Sequence, residues 1–274
     1  MHKLLFIHWN INPEIFRIGG IAVRYYTLLF LLAFAVSYWL LSGIYKAEGV
    51  DVKLLDRLAI YVFIGTLLGA RLGHCLFYEF DYYKTKPWEI ILPFHFKNGQ
   101  FEFTGFQGLA SHGGTIGILA AVWFYCKKYQ VSMLWVLDRL VIAVAIAACC
   151  VRMGNFLNSE IIGRPATVAW AVVFERVDDV PRHPAQLYEA FCYGAIFLVL
   201  LFLYIRKMAF VKPGFLFGIF LITLFGVRFL MEFLKDEQES FEKGWLLNMG
   251  QLLSIPLIVV GIYFLLTKPK KYGQ

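Results

Sequence analysis

Residues 151–165, VRMGNFLNSEIIGRP, place Arg152, Asn155, Asn158, Glu160 and Arg164 directly after a stretch apolar enough to cross a bilayer. Polar and charged groups are costly near hydrocarbon unless something satisfies them. The cluster therefore either binds the protein to itself or holds a charged species brought by the membrane. Guanidinium groups suit the second reading, because the planar fork grips phosphate bidentately and stays charged. Asn155 and Asn158 equally suit capping or cross-linking of helices. Arg228 and Glu232 are four apart and share a helix face. They form either an internal ion pair that neutralises Arg228, or a pair in which Glu232 orients a guanidinium toward an anion. His112 is followed by Gly113 and Gly114. Near a helix end a histidine is commonly a satisfied structural residue, yet an imidazole beside a passing substrate can take a thiol proton near neutrality. Two adjacent glycines weaken a helix unless the backbone bends there or something approaches closely.

The elements that position these groups follow from composition. The chain has 274 residues, 59% hydrophobic and 16% charged, with a mean hydropathy of +0.64. Soluble domains carry about a quarter charged residues, so this is a membrane protein. A spanning helix needs about 20 largely apolar residues. Seven stretches qualify: 24–43, 58–78, 108–126, 134–151, 188–206, 214–233 and 249–267. Period-two strands and internal repeats are not evident, which favours helices over a barrel. The expected fold is an all-α membrane protein, a polytopic bundle of about seven transmembrane helices forming one domain over 1–274. The start, MHKLLFIHWNINPEIF, lacks the apolar core and cleavage site of a signal peptide, so targeting falls to the first spanning helix. Cys75, Cys126, Cys149, Cys150 and Cys192 lie in or beside apolar helices without CxxC spacing, which argues against a disulfide framework or a zinc site.

Charge sets the orientation. If seven helices alternate, the short connectors and the tail carrying Lys46, Lys53, Arg57, Lys127, Lys128, Lys207, Lys212, Lys268, Lys270 and Lys271 share one side. Positive charge in short loops marks the cytoplasm, so the N-terminus is expected outside and the C-terminus inside. A basic fringe against anionic headgroups also explains the net charge of +7 without nucleic acid. Arg24, Tyr26, Arg71, His74, His112, Arg152, Asn155, His183, Gln186, Glu189, Arg228 and Glu232 then fall in the outer membrane half, which suggests a shared polar cavity. The segment 152–187 lies on that face, and its part 160–187 is too long and polar for a simple turn. It reads as a small extramembrane cap whose WAVVFE run, 170–175, can form a short strand. Trp88, Tyr82 and Tyr83 read as interfacial anchors.

The motifs RYY (24–26), GARLGH (69–74), SHGGTIG (111–117), RMGNFLNSEIIGRP (152–165), RHPAQLYEA (182–190) and VRFLMEF (227–233) occur in that order. On these the chain resembles the phosphatidylglycerol–prolipoprotein diacylglyceryl transferase family over nearly its whole length. Val151, Ser159 and His74 depart mildly from the family pattern. The resemblance implies an enzyme of the bacterial inner membrane that moves the diacylglyceryl group of phosphatidylglycerol to the lipobox cysteine thiol of a preprolipoprotein signal peptide. A thioether forms and glycerol-1-phosphate leaves, with no metal or soluble cofactor. The nucleophile belongs to the substrate, so a Ser–His–Asp or Cys–His arrangement is not expected. Under this reading His112 is the candidate base, and Arg152 and Arg228 bind the phosphate, positioned by Glu160 and Glu232. Tyr26, Asn155 and Gly163 match family positions near the headgroup, with Arg71 and His183 as further candidates. The competing class is a membrane transporter with a cationic outer vestibule; transporters often show internal repeats and midplane sites. Here no repeat is evident and the polar residues gather at one face.

Overall fold

The computed structural model describes residues 6–18, 21–90, 94–97, 100–103, 108, 110–207, 212–236 and 247–267. Lys268, Lys270 and Lys271, counted above toward the basic side, lie outside these residues. The chain runs β1 (Ile7–Trp9), β2 (Glu14–Ile18), β3 (Ile21–Arg24), α1 (Tyr25–Ala47), α2 (Val52–Phe77), α3 (Phe80–Tyr83), β4 (Phe94–Lys97) and β5 (Gln100–Phe103). It continues through α4 (Ser111–Tyr129), α5 (Met133–Asn158), β6 (Val172–Phe174), β7 (Pro181–Arg182), α6 (Ala185–Ile205), α7 (Phe215–Met231) and α8 (Met249–Leu266).

Six of the seven expected spans, α1, α2, α5, α6, α7 with its following turn, and α8, are long and apolar enough to cross a membrane. The seventh, α4, has 19 residues, or about 28 Å. Ser111, His112 and two glycines at one end, with Lys127 and Lys128 at the other, lower its apolarity. The fold class expected from the sequence holds, with the strands confined to short sheets outside these helices. The chain divides into two compact units, residues 1–43 with 137–274, and residues 44–136.

In the unit 44–136, α2 starts at Asp51, whose side chain accepts from the Lys53 backbone N–H at 2.9 Å. It packs antiparallel on α4 through glycines. A Cβ on Gly113 would stand 2.2 Å from the Gly69 carbonyl oxygen, and one on Gly117 2.0 Å from that of Gly65. Helices in lipid approach this closely only through small residues. This crossing, rather than a passing substrate, is the reason for Gly113. Arg71 is buried, donating to the carbonyls of Glu89 at 2.6 Å and Ile90 at 3.1 Å beneath the Tyr83 ring. Two of its donors thus hold the short 3-10 helix Pro87–Ile90 that follows α3.

In the other unit, α7 begins at Gly214 without a cap of its own. Asp138 of α5 supplies one, accepting from the backbone N–H groups of Gly214 at 2.7 Å and Phe217 at 2.9 Å. A carboxylate there also complements the helix dipole. At the same end, Lys212 donates to the Leu265 carbonyl at 3.1 Å and to that of Thr267, closing the C-terminus of α8. The opposite end of α8 carries a capping box between Asn248 and Gln251.

The cap forms the predicted strand as β6, and two neighbours complete its sheet. β1 pairs parallel to it, Ile7 opposite Val172, and β7 pairs antiparallel, Val172 opposite Arg182. Phe156, Val172 and Phe174 make its core, with the Trp9 ring tilted against Phe156 at 4.3 Å between centroids. The amino-terminal strand is thus part of the cap, which the sequence reading did not foresee.

Candidate active site

With 26 residues, α5 is about 39 Å long, beyond the roughly 30 Å of hydrocarbon. Arg152, Asn155 and Asn158 therefore ride on its last turns instead of following it. Arg152 and Asn155 are three apart on one face, and the Arg152 guanidinium donates to Asn155 Oδ1 at 3.3 Å. The chain then turns sharply. Ser159 takes φ +57° and Ile161 φ +54°. Ser159 is a left-handed cap of a kind common at helix ends, but a β-branched residue in this region is strained by about 1–3 kcal/mol. Neighbours hold the strain in place: Gln186 Nε2 donates to the Glu160 carbonyl at 2.6 Å, and the Asp236 N–H to that of Ile162. Between these two residues, Glu160 accepts from Asn155 Nδ2 at 3.2 Å and Asn158 Nδ2 at 2.9 Å.

Arg152 is not paired with Glu160 directly, as the sequence reading expected. Its Nε lies 3.0 Å from Glu189 Oε2 on α6. That oxygen has no aligned hydrogen bond, so the contact is an ion pair rather than a directed bond. The other oxygen of Glu189 is 2.9 Å from Lys235 Nζ, and Lys235 also donates to Glu232 Oε1 at 3.0 Å. Asn248 Nδ2 donates to Glu232 Oε2 at 3.1 Å, and Arg228 Nε stands 3.9 Å from Glu232 Oε1. The order is Arg152, Glu189, Lys235, Glu232, Arg228. Lys235 and Glu189 are 1% and 0% exposed, whereas Arg152 and Arg228 are 12% and 28% exposed. The Tyr193 hydroxyl, one turn further along α6, donates to Glu189 Oε1 at 3.3 Å. The Arg228–Glu232 pair exists, but it is the loosest contact of the five, because Lys235 and Asn248 hold the carboxylate.

The cap locks this row from outside. Gly163 bridges Lys235, and Arg164 donates to the Lys235 carbonyl at 2.9 Å. The Gly163 N–H bonds the His183 carbonyl at 3.1 Å, and a Cβ on Gly163 would meet that oxygen at 2.3 Å. Gly163 therefore serves the site by letting backbones touch. His183 bonds the Tyr188 hydroxyl at 3.2 Å and belongs to the cap. Arg182 joins Asp178, Asp236 and the Gly163 carbonyl. Its guanidinium holds the Asp178 carboxyl below the ordinary carboxylate range, against a smaller opposing effect of burial. Tyr26 lies over Gly154, where a Cβ would come 2.7 Å from the ring.

Arg152, Asn155, Glu160, Gly163, Tyr26, Arg228 and Glu232 thus gather within one unit, while His112 lies in the first turn of α4 in the other. Glu189 and Lys235 are the members no role was assigned to. Lys235 had a signal, since it sits three residues after Glu232. Among the described residues, no group of three or more His, Cys, Asp or Glu is arranged to hold a metal. Three cations against two carboxylates leave the row with an excess positive charge. Buried ion pairs are weak sources of stability, since desolvation offsets most of their attraction. Of its three cations, Lys235 is enclosed, and the two arginines at the ends keep some exposure.

Fold and site define a multi-pass membrane protein with a cationic site at one end of its helices. The family model for prolipoprotein diacylglyceryl transferase matches residues 13–267. A phosphatidylglycerol–prolipoprotein diacylglyceryl transferase of Bacteroides fragilis is 48% identical over 269 residues, covering 98% of this chain and 97% of that protein. Proteins of the same name from Tolumonas auensis and Chloroherpeton thalassium are 44% and 40% identical, covering 98% and 97% of this chain and 100% and 96% of theirs. The chain belongs to the prolipoprotein diacylglyceryl transferase family. The transporter reading finds no support.

Proposed function

We propose that residues 1–274 act as one integral-membrane transferase domain with an outer-face cap within 152–187, made of the part that follows α5 together with β1. It moves diacylglyceryl from phosphatidylglycerol to the lipobox cysteine thiol of a preprolipoprotein. The thiol sulfur bonds the diacylglyceryl carbon as that carbon's bond to the phosphate oxygen breaks. The electron pair leaves on oxygen, and glycerol-1-phosphate departs as a monoester dianion. Developing charge on the leaving phosphate calls for fixed cations. The observation that carries the reading is the row from Arg152 to Arg228, which is dry in the middle and opens only at its two guanidinium ends. Arg152 and Arg228 bind the phosphate; Asn155, Glu160 and Tyr26 line the Arg152 end, with Gly163 and Glu232 fixing the frame. His112 takes the thiol proton, since a thiol is a weak nucleophile until deprotonated. The protein resides in the bacterial inner membrane, N-terminus outside and C-terminus cytoplasmic, with the site toward the outer face.

The test combines purified protein, phosphatidylglycerol vesicles and a lipobox peptide, followed by mass spectrometry. A diacylglyceryl thioether on the cysteine is the expected product. Folded protein that yields no adduct defeats the proposal.

A further inference from the structure

Asn158 ends α5 with its two amide atoms in different situations. Nδ2 donates to Glu160 Oε1 at 2.9 Å, and a carboxylate can only accept, so the amide orientation is determined. Oδ1 is therefore an acceptor; it is buried and has no hydrogen-bond partner among the described residues. Such atoms are rare and ask for a donor from elsewhere. Asn158 and Glu160 border an open cavity of about 380 Å³, lined also by Asn10, Asn12, Pro13, Glu14 and Arg24 of the amino-terminal arm and by Arg176. This volume is in the range of small ligand sites.

Charge narrows the occupant. Glu14 and Glu160 balance Arg24 and Arg176, and Glu14 is already engaged by Arg17 at 2.7 Å and by Arg24 at 3.8 Å. A phosphate dianion would meet as many carboxylates as guanidinium groups. An uncharged chain of amides finds complementary donors and acceptors in three asparagines. The cavity lies between the arm that precedes α1 and the turn that follows α5, outside the helices, so an apolar signal segment has no place in it. Glu160 connects it to the reacting end: its other oxygen accepts from Asn155, which accepts from Arg152.

We infer that this cavity is a subsite for the extended polypeptide that follows the acceptor cysteine, with Asn158 Oδ1 accepting a main-chain N–H. The inference rests on the transferase reading. Its test uses the full chain with phosphatidylglycerol vesicles and two lipobox peptides. One ends at the cysteine as an amide, and the other continues for several uncharged residues. One buried hydrogen bond predicts a KM for the truncated peptide about tenfold higher than for the extended one. That ratio falls to about one in Asn158→Ala and in Asn158→Leu. A ratio of one in the unaltered protein overturns the inference. So do variants that slow both peptides equally with the ratio intact, which would give Asn158 only a structural role. Weaker inhibition by glycerol-1-phosphate in these variants, without change in the ratio, would make the cavity a phosphate site and also overturn it. If Asn158→Ala does not fold, Asn12→Ala on the facing wall takes its place. Absence of adduct on both peptides refutes the transferase reading itself, an outcome distinct from equal KM values.

Discussion

Lys235→Met removes the one cation between Glu189 and Glu232 while keeping most of the side chain's volume. Its ammonium lies 2.9 Å from one carboxylate and 3.0 Å from the other, and the side chain is 1% exposed. Water cannot replace it, so two carboxylates would face each other across a dry gap. Deleting one partner of a buried ion pair costs about 3–5 kcal/mol, chiefly for the charge left behind. Relief comes only if Glu189 or Glu232 moves, and each is tied to an arginine, at 3.0 Å and 3.9 Å. Losing the aim of one cation at developing charge costs about 3–4 kcal/mol, a fall in kcat of about 10²–10³. Lys235→Arg should retain much of the activity. The double variant Lys235→Met with Glu232→Gln should be no worse than Lys235→Met alone, because it removes the like-charge contact. The assay is kcat and KM for transfer to a lipobox peptide, beside thermal unfolding in the same detergent. A folded Lys235→Met protein with unaltered kcat, or strictly additive effects in the double variant, would refute the reasoning.

Further outcomes are expected. Arg152→Ala and Arg228→Ala should each insert and fold but lose about 10²–10³ in transfer rate, and lysine replacements should recover only part because the bidentate grip is gone; near-normal turnover in both would remove the phosphate clamp. His112→Gln, assayed across pH, should flatten the acidic limb of the rate profile, and an unchanged profile would leave His112 a positioning role only. Gly113→Leu should lower thermal stability by about 1–3 kcal/mol, because a side chain there meets the Gly69 carbonyl at the α2–α4 crossing. Asp178 has a folded-state value below its unfolded one, so its bond to Arg182 stabilises the cap above the ordinary carboxylate range, and that contribution fades as pH falls through the depressed value. Asp178→Asn should therefore speed hydrogen exchange in 160–184 at neutral pH, by about 1 kcal/mol after screening, and make little difference in strong acid.

Much of this protein was legible in the order of its residues. Apolar stretches long enough to span a bilayer are a one-dimensional property, and six of the seven expected helices meet it in the structure. The pairing of charges was not legible, because it depends on which helix ends meet. Arg152 was expected beside Glu160, eight residues on, and instead finds Glu189 across a helix pair. The amino-terminal strand was missed because three residues of β1 carry no periodic signal and acquire a partner only in β6.

By itself, the sequence determined that the chain crosses the membrane several times and that arginines, asparagines and acids collect where the helices end. These follow from local composition and the cost of polarity in hydrocarbon. Only the tertiary structure decided that Lys235 divides two buried carboxylates and that each carboxylate holds a different arginine. It also assigned Gly113 to a helix crossing and Arg71 to backbone carbonyls. Those outcomes depend on distances of a few ångströms between residues tens of positions apart, and no spacing along the chain encodes them.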